Sequence, residues 1–473
     1  MVFSSAPFLF FFLPIFFCVY FSVNSIKIKN YAVLFFSLVF YGWGEPWFVL
    51  VLAASMIINW SAAIYIDREE GRGRSIALAV TITLNLLLLA AFKYGDFIVH
   101  NVNAILSPML GLTLPQPSLP LPLGISFFTF HCLSYVIDVY RRRFHANRRP
   151  SEIALYIVLF PQLVAGPIVR YKTIARQLRL RRHTMARASI GARIFIIGLA
   201  QKILIADQVA SLVETVFDHS PNPSMLEAWT GILAYTVQIY FDFCGYSNMA
   251  VGLGFILGFS LPRNFRLPYT ALSITDFWRR WHISLSSWLR DYLYIPLGGS
   301  RGSSIQLYRN LILVFLLCGL WHGSSWTFVL WGAWHGAFLV IERVGLNRLL
   351  SQLPVALRWV YTILVVMGGW VLFRAHDLSA AGTMYAGLLG SNGIDAMRFQ
   401  VHLALEPNVI LALAAGWVLA TLPAWGPALR RSAVPGLRKL RATADTAWTF
   451  GLLILSLLYA AAGTYSPFLY FRF

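Results

Sequence analysis

Three histidines fall in one stretch of a chain otherwise built for lipid. Between Thr275 and Gly336 the sequence reads TDFWRRWHISLSSWLRDYLYIPLGGS, a short basic loop, and then RNLILVFLLCGLWHGSSWTFVLWGAWHG. His322 is the sharpest candidate for chemistry, because Leu311–Leu320 before it and Trp326–Trp331 after it are apolar. An ionisable side chain at membrane depth is costly, and its presence points to function. Imidazole takes up a proton near neutral pH, and burial keeps it a neutral base. The bland alternative is a histidine hydrogen-bonded between helices for packing. His282 stands on a different element and suits three roles: orienting that base, binding a reacting carbonyl, or lying at an interface. His335 falls about 220° around a continuous helix from His322, so packing is its expected role.

Other chemistries lack their residues. There is no HExxH and no clustered His/Cys/Asp set for a metal, so no metal site is expected. GxxxxGK[ST] is absent, which removes an ATP-driven pump. Cys18, Cys132, Cys244 and Cys318 stand singly in apolar runs and read as small buried hydrophobes. The run YFDFCGYSN places Asp242 among apolar residues, as an ion site of a transporter or as a packing motif.

The elements that must position these groups are membrane helices. The 473 residues are 58% hydrophobic and only 12% charged, against about 25% charged in soluble domains. The net charge of +19 comes from 38 Lys and Arg against 19 Asp and Glu. Its basic residues sit in short loops between apolar runs, which is the positive-inside pattern with attraction to anionic lipid, not a nucleic-acid surface. A core about 30 Å thick needs about 20 apolar helical residues. Candidate spans are Pro7–Val23, Tyr31–Tyr41, Trp47–Ile66, Ile76–Phe92, Leu119–Tyr140, Ile190–Val213, Trp229–Phe259, Val355–Phe373, Asn408–Leu422 and Thr446–Ala462. The N-terminal run lacks a charged leader and a small-residue cleavage site, so it reads as a retained span. The arginine patches at 68–74, 141–149, 170–193 and 430–441 are expected on the cytoplasmic side, which puts both termini on the other.

Two segments do not fit a simple crossing. Ser151–Val169 is apolar but flanked by arginines and broken by Pro161, Gly166 and Pro167, so a re-entrant segment is expected. Leu311–Trp321 and Trp326–Ile341 each look short for a crossing, which would make them a segment that dips in and returns with His322 deepest. Phe277, Trp281, Leu285, Trp288 and Leu289 recur at helical spacing among Arg279, Arg280, Arg290 and Asp291. That predicts an amphipathic helix at the cytoplasmic interface. The chain reads as a single membrane domain over 1–473, with residues 261–341 as its catalytic segment.

At the blocks PLGISFFTFHCLSYVIDVYR, FPQLVAGPIVR, AYTVQIYFDFCGYSNMAVGLG, ITDFWRRWHISLSSWLRDYLYIPLGG and GLWHGSSWTFVLWGAWHG the chain resembles the membrane-bound O-acyltransferase (MBOAT) family, in its branch of bacterial alginate O-acetyltransferases. Cys244 and Asn248 depart from that branch, where close relatives carry Ser and Asp. The resemblance implies an all-α polytopic membrane protein, a ring of about 10–12 tilted helices with re-entrant and amphipathic helices around a central cavity. It makes His322 the catalytic histidine and His282 the second active-site position, filled by Asn or Asp in other branches. Acyl transfer follows, with Arg279, Arg280, Trp281 and Trp321 as candidate contacts to the donor. That donor is expected to be acetyl-CoA or an acyl-carrier thioester, arriving as substrate and not as a bound cofactor. The acceptor is expected to be an exported polysaccharide, reached directly or through a periplasmic partner, from a bacterial inner membrane. The residues alone leave open a transporter or flippase of a polysaccharide export system, with His322 as gating or proton-relay group.

Overall fold

The computed structural model describes residues 1–394, 397–422 and 435–463, and among these it contains helices and loops without strands. Arg430, Arg431 and the terminal SPFLYFRF block lie outside the described residues. Among the described residues six helices are long and apolar enough to cross a membrane, Phe48–Arg68, Gly71–Leu110, Met185–Ala206, Ser304–His322, Val355–Arg374 and Thr443–Ala461. Shorter apolar helices cover Phe8–Ser22, Ile125–Tyr140 and Pro407–Thr421. The protein is an all-α, multi-pass membrane protein. Its chain divides into two compact units, one of residues 1–192 with 250–262 and one of 193–249 with 263–473.

In the first unit, α1 (Phe8–Ser22) and α2 (Ile26–Gly42) enclose an aromatic core. Phe3, Phe8, Phe16 and Phe40 in it are fully buried. Helices α3 (Phe48–Arg68) and α4 (Gly71–Leu110) are joined by two asparagines that exchange amide hydrogen bonds, Asn59 to Asn85 at 3.1 Å and the reverse at 2.9 Å. Each amide thereby satisfies the other away from water. Helix α5 covers Ile125–Tyr140. It starts later than the expected span, because the proline-rich run before it is not helical.

The segment expected to be broken is broken. It forms α6 (Pro150–Val158) and the single turn α7 (Phe160–Leu163). Leu159 between them is non-helical (ψ 107°) and fully buried. The freed backbone is satisfied internally. Phe160 N–H donates to Ser37 Oγ at 3.1 Å, and the Gln162 amide donates to the Tyr156 carbonyl. Irregular backbone buried in protein is what a lipid environment tolerates. Helix α8 (Tyr171–Arg179) follows, with Arg176 and Arg179 in its last turn.

In order, α9 spans Met185–Ala206, α10 Ala210–His219 and α11 Met225–Ile256. The expected span Ile190–Val213 is therefore interrupted, and the interruption has a cause. Gln201–Ala206 is a π-helical turn that widens the helix around Lys202. In the second unit Lys202 Nζ sits 2.6 Å from Asp207 and 2.7 Å from Asp242, with all three side chains about 2% exposed. Asp242 thus belongs to a buried charge cluster.

The predicted amphipathic helix is corrected. It is two short helices, α12 (Ile274–Arg280) and α13 (Ile283–Leu289). Between them His282 adopts a left-handed backbone with φ 43°. Phe277, Trp281, Leu285 and Trp288 are buried, so their helical spacing records core packing and not a surface face. Helices α14 (Ser304–His322) and α15 (Trp326–Ile341) then form an antiparallel hairpin. The first arm is longer than expected. A capping box from Ser303 and Gln306 starts α14 ahead of Leu311, and 19 residues reach about 28 Å, close to a hydrocarbon thickness. Helix α16 covers Val355–Arg374 and α17 Leu378–Leu388.

Candidate active site

His322 is the last residue of α14, at the tip of the hairpin. Gly323 ends the helix in an extended conformation, its N–H bonded to the Gly319 carbonyl at 3.2 Å. A Cβ at Gly323 would come within 2.1 Å of the Phe328 ring, so glycine lets α15 fold back directly behind the histidine. The hairpin is close enough for backbone contact. A Cβ at Gly332 would lie 2.3 Å from the Phe315 carbonyl oxygen, and one at Gly319 2.2 Å from that of Phe328.

This geometry walls the imidazole with aromatic rings. His322 meets Trp321, Trp331 and Phe373 edge-on at centroid distances of 4.7, 5.0 and 5.2 Å. Only 4% of it is exposed. An environment of that kind holds the ring in one orientation and keeps water away from it.

His282 is fully buried and comes from the α12–α13 corner. Its Nδ1 lies 3.3 Å from Asn264 Oδ1. The same amide oxygen accepts from Ser284 Oγ at 2.7 Å and from Ser284 N–H at 3.2 Å. Ile283 N–H donates to the Asn264 carbonyl at 2.9 Å, so one residue clamps the corner through side chain and backbone. Phe243 closes another side of the ring at 4.7 Å. Burial pushes the His282 imidazole down to about 3, so it is neutral at any physiological pH.

The two histidines are brought together on one indole. Trp321 lies 4.7 Å from His322 and 6.2 Å from His282, centroid to centroid. The remaining sequence candidates occupy different surroundings. Arg279 is exposed, whereas Arg280 pairs with Asp276 at 2.9 Å and donates to Thr270 Oγ1 at 3.2 Å. Trp281 packs in an aromatic core with Phe265 at 5.0 Å and Trp370 at 4.9 Å. His335 is fully buried between Trp278 and Trp331, each at 5.1 Å, as its spacing led us to expect. No group of three or more His, Cys, Asp or Glu suited to a metal occurs among the described residues.

Several positioning residues were not visible in the sequence. Asn264 is one. Glu342 is another, just past α15 and 1% exposed. Its carboxylate accepts from the backbone N–H of Ile274 at 2.5 Å, and from Thr275 through N–H at 2.9 Å and hydroxyl at 2.7 Å. A buried carboxylate at the start of α12 satisfies otherwise unpaired amides and opposes the helix dipole. The hairpin that carries His322 therefore also anchors the helix that leads to His282.

A family model described as MBOAT, membrane-bound O-acyltransferase family, matches residues 35–381. The chain belongs to this family. The matched region contains both histidines, Asn264 and Glu342. The protein is similar to the probable alginate O-acetylase AlgI of Azotobacter vinelandii, 42% identical over 82% of this chain and 78% of the relative. The corresponding protein of Pseudomonas putida is 39% identical over the full length of both chains. A peptidoglycan O-acetyltransferase of Helicobacter pylori is 34% identical over 87% of this chain and 83% of its own. As a member of the MBOAT family the chain is an acyltransferase, and not the transporter that its residues alone left open.

Proposed function

We propose that the protein O-acetylates an exported polysaccharide at the bacterial inner membrane, taking the acetyl group from a cytoplasmic thioester such as acetyl-CoA. Delivery is to the polymer itself or to a periplasmic partner that modifies it. The names of the relatives support an O-acetyl product. The observation that carries the site assignment is the convergence of two buried imidazoles on Trp321.

In this reading His322 is the general base. It takes the proton of an acceptor hydroxyl as the oxygen attacks the thioester carbonyl. The tetrahedral intermediate collapses with cleavage of the C–S bond, and the imidazolium returns the proton to the departing thiolate. The products are an ester and a free thiol, with the histidine regenerated. His282, held neutral with its Nδ1 proton on the Asn264 amide oxygen, presents its second ring nitrogen as a hydrogen-bond acceptor that orients the hydroxyl of the acceptor. Arg279 and Arg280 stay proposed contacts for donor phosphates, Trp281 and Trp321 for its apolar parts.

The test is thiol release from acetyl-CoA by the purified protein with an oligosaccharide acceptor, read beside mass spectrometry of the product. His322→Ala should lower turnover by roughly 10²–10⁴-fold with donor binding retained. Full turnover in that variant would remove His322 from the role of base.

A further inference from the structure

The first unit carries a basic cleft built from residues outside the site described above. Lys27, Arg148, Arg149 and Arg179 border a groove of about 660 Å³ together with Ser151 and Glu152. A second groove of about 590 Å³ opens on the other flank of Arg148, Arg149 and Arg179 and adds Arg176. Part of this charge is fixed in place from beneath. Glu152 is 7% exposed and pairs with Arg149 at 2.9 Å and Arg179 at 3.0 Å. Asn147, 6% exposed, donates to Glu152 at 2.7 Å and to the Tyr171 hydroxyl at 2.8 Å. One carboxylate thus holds two guanidinium groups, which leaves a positive surplus before the others are counted.

Lys27 and Arg148 have no acidic partner among the described residues. The first residues of α6 line the same groove, and no side chain caps that nine-residue helix. Pro150 has no N–H and the Glu152 N–H is taken by the Arg149 carbonyl at 3.2 Å, so the surplus of cations is what binds phosphate oxygens there. The α2 wall carries Ile26, Tyr31 and Leu34 in the groove beside Lys27 and Asn30. From Tyr31 an exposed stripe continues along α2 through Phe35 and Val39, at one-turn spacing. A phosphate cradle opening onto a lipid-facing apolar track fits a headgroup with its acyl chain.

We propose that this cleft binds the phosphate of an anionic phospholipid, with an acyl chain running along Tyr31, Phe35 and Val39 of α2. The phosphates of the thioester donor share the chemistry, and the experiment separates the two sources. The full-length protein in detergent is titrated with phosphatidylglycerol or phosphatidylcholine and retained lipid is counted by native mass spectrometry. Preferential retention of phosphatidylglycerol is expected, together with a roughly 30-fold loss in the double variant Lys27→Ala, Arg148→Ala, at about one kcal/mol for each charge removed. Neither side chain belongs to the Glu152 network, and an unchanged melting temperature in phosphatidylcholine confirms the fold. Equal retention of the two lipids by the unmodified protein overturns the proposal, as does an unaltered affinity in the variant. Displacement of the bound phosphatidylglycerol by acetyl-CoA overturns it too, because the phosphates would then be those of the donor.

Discussion

Asn264 is the residue on which the geometry of His282 rests, since its amide oxygen gathers Nδ1 of the imidazole and both donors of Ser284. Asn264→Ala should leave the ring free to turn and lower kcat by roughly 10- to 100-fold, with a smaller effect on KM, as expected when a reacting group is misplaced by about 1 Å. Asn264→Asp keeps an acceptor in the same place and should recover most of the loss. Steady-state kinetics of the two variants decide the matter, because a merely structural role would move the melting temperature and not kcat. The same site has a pH signature. The folded protein keeps His282 neutral down to about 3, whereas the unfolded chain takes up a proton near 6.5. Stability from this group is therefore complete above pH 6.5 and declines as the pH falls below it. His282→Asn should flatten the fall in melting temperature between pH 7 and pH 5. His322 and His282 were legible because ionisable groups in apolar surroundings are conspicuous. Asn264 was not, since it lies 18 residues from His282 in a loop whose return to the corner no local pattern encodes.

At the scale of elements, the hairpin of α14 and α15 and the carboxylate behind it set the positions of both histidines. Gly332→Ala would push a methyl against the Phe315 carbonyl, which should cost about 1–3 kcal/mol and lower activity together with thermal stability. Glu342→Gln is subtler. It keeps the shape and removes the charge that meets the α12 amides, so a loss of about 1 kcal/mol in stability is expected with a larger fall in turnover than in substrate affinity. Thermal unfolding and kinetics on the same preparations would separate the two effects. The sequence made the helices legible where apolar length decides them, as in α3 and α16. It misplaced the corner at His282, because Phe277, Trp281 and Leu285 keep a helical interval through a point where the backbone reverses hand. The start of α14 was missed for another reason. Ser303 and Gln306 are a capping signal whose strength was outweighed by the polar residues that follow.

For the molecule as a whole, the buried cluster of Lys202, Asp207 and Asp242 is the largest electrostatic commitment among the described residues. Lys202→Met would leave two carboxylates without their cation and should cost about 3–5 kcal/mol, read as poor yield and early unfolding in detergent. Adding Asp207→Asn and Asp242→Asn to that change removes the stranded charges and should restore yield. Failure of the triple variant to recover would assign the cluster a role beyond charge balance. This cluster was half visible in the sequence. Asp242 stood out in an apolar run, but its cation sits on another helix and becomes a partner only through the π-helical turn at Gln201–Ala206. The basic loops, by contrast, were plain from composition, and in the first unit they condense into a shaped cleft.

The left-handed corner at His282 also limits what selection had to choose from. β-Branched side chains are strongly disfavoured at the φ of 43° found there, and apart from glycine the types that enter this region most readily are Asn, Asp and His. The repertoire of chemistry available there was thus trimmed by steric fit before any substrate was involved, and a redesign of acyl specificity at residue 282 inherits that short menu.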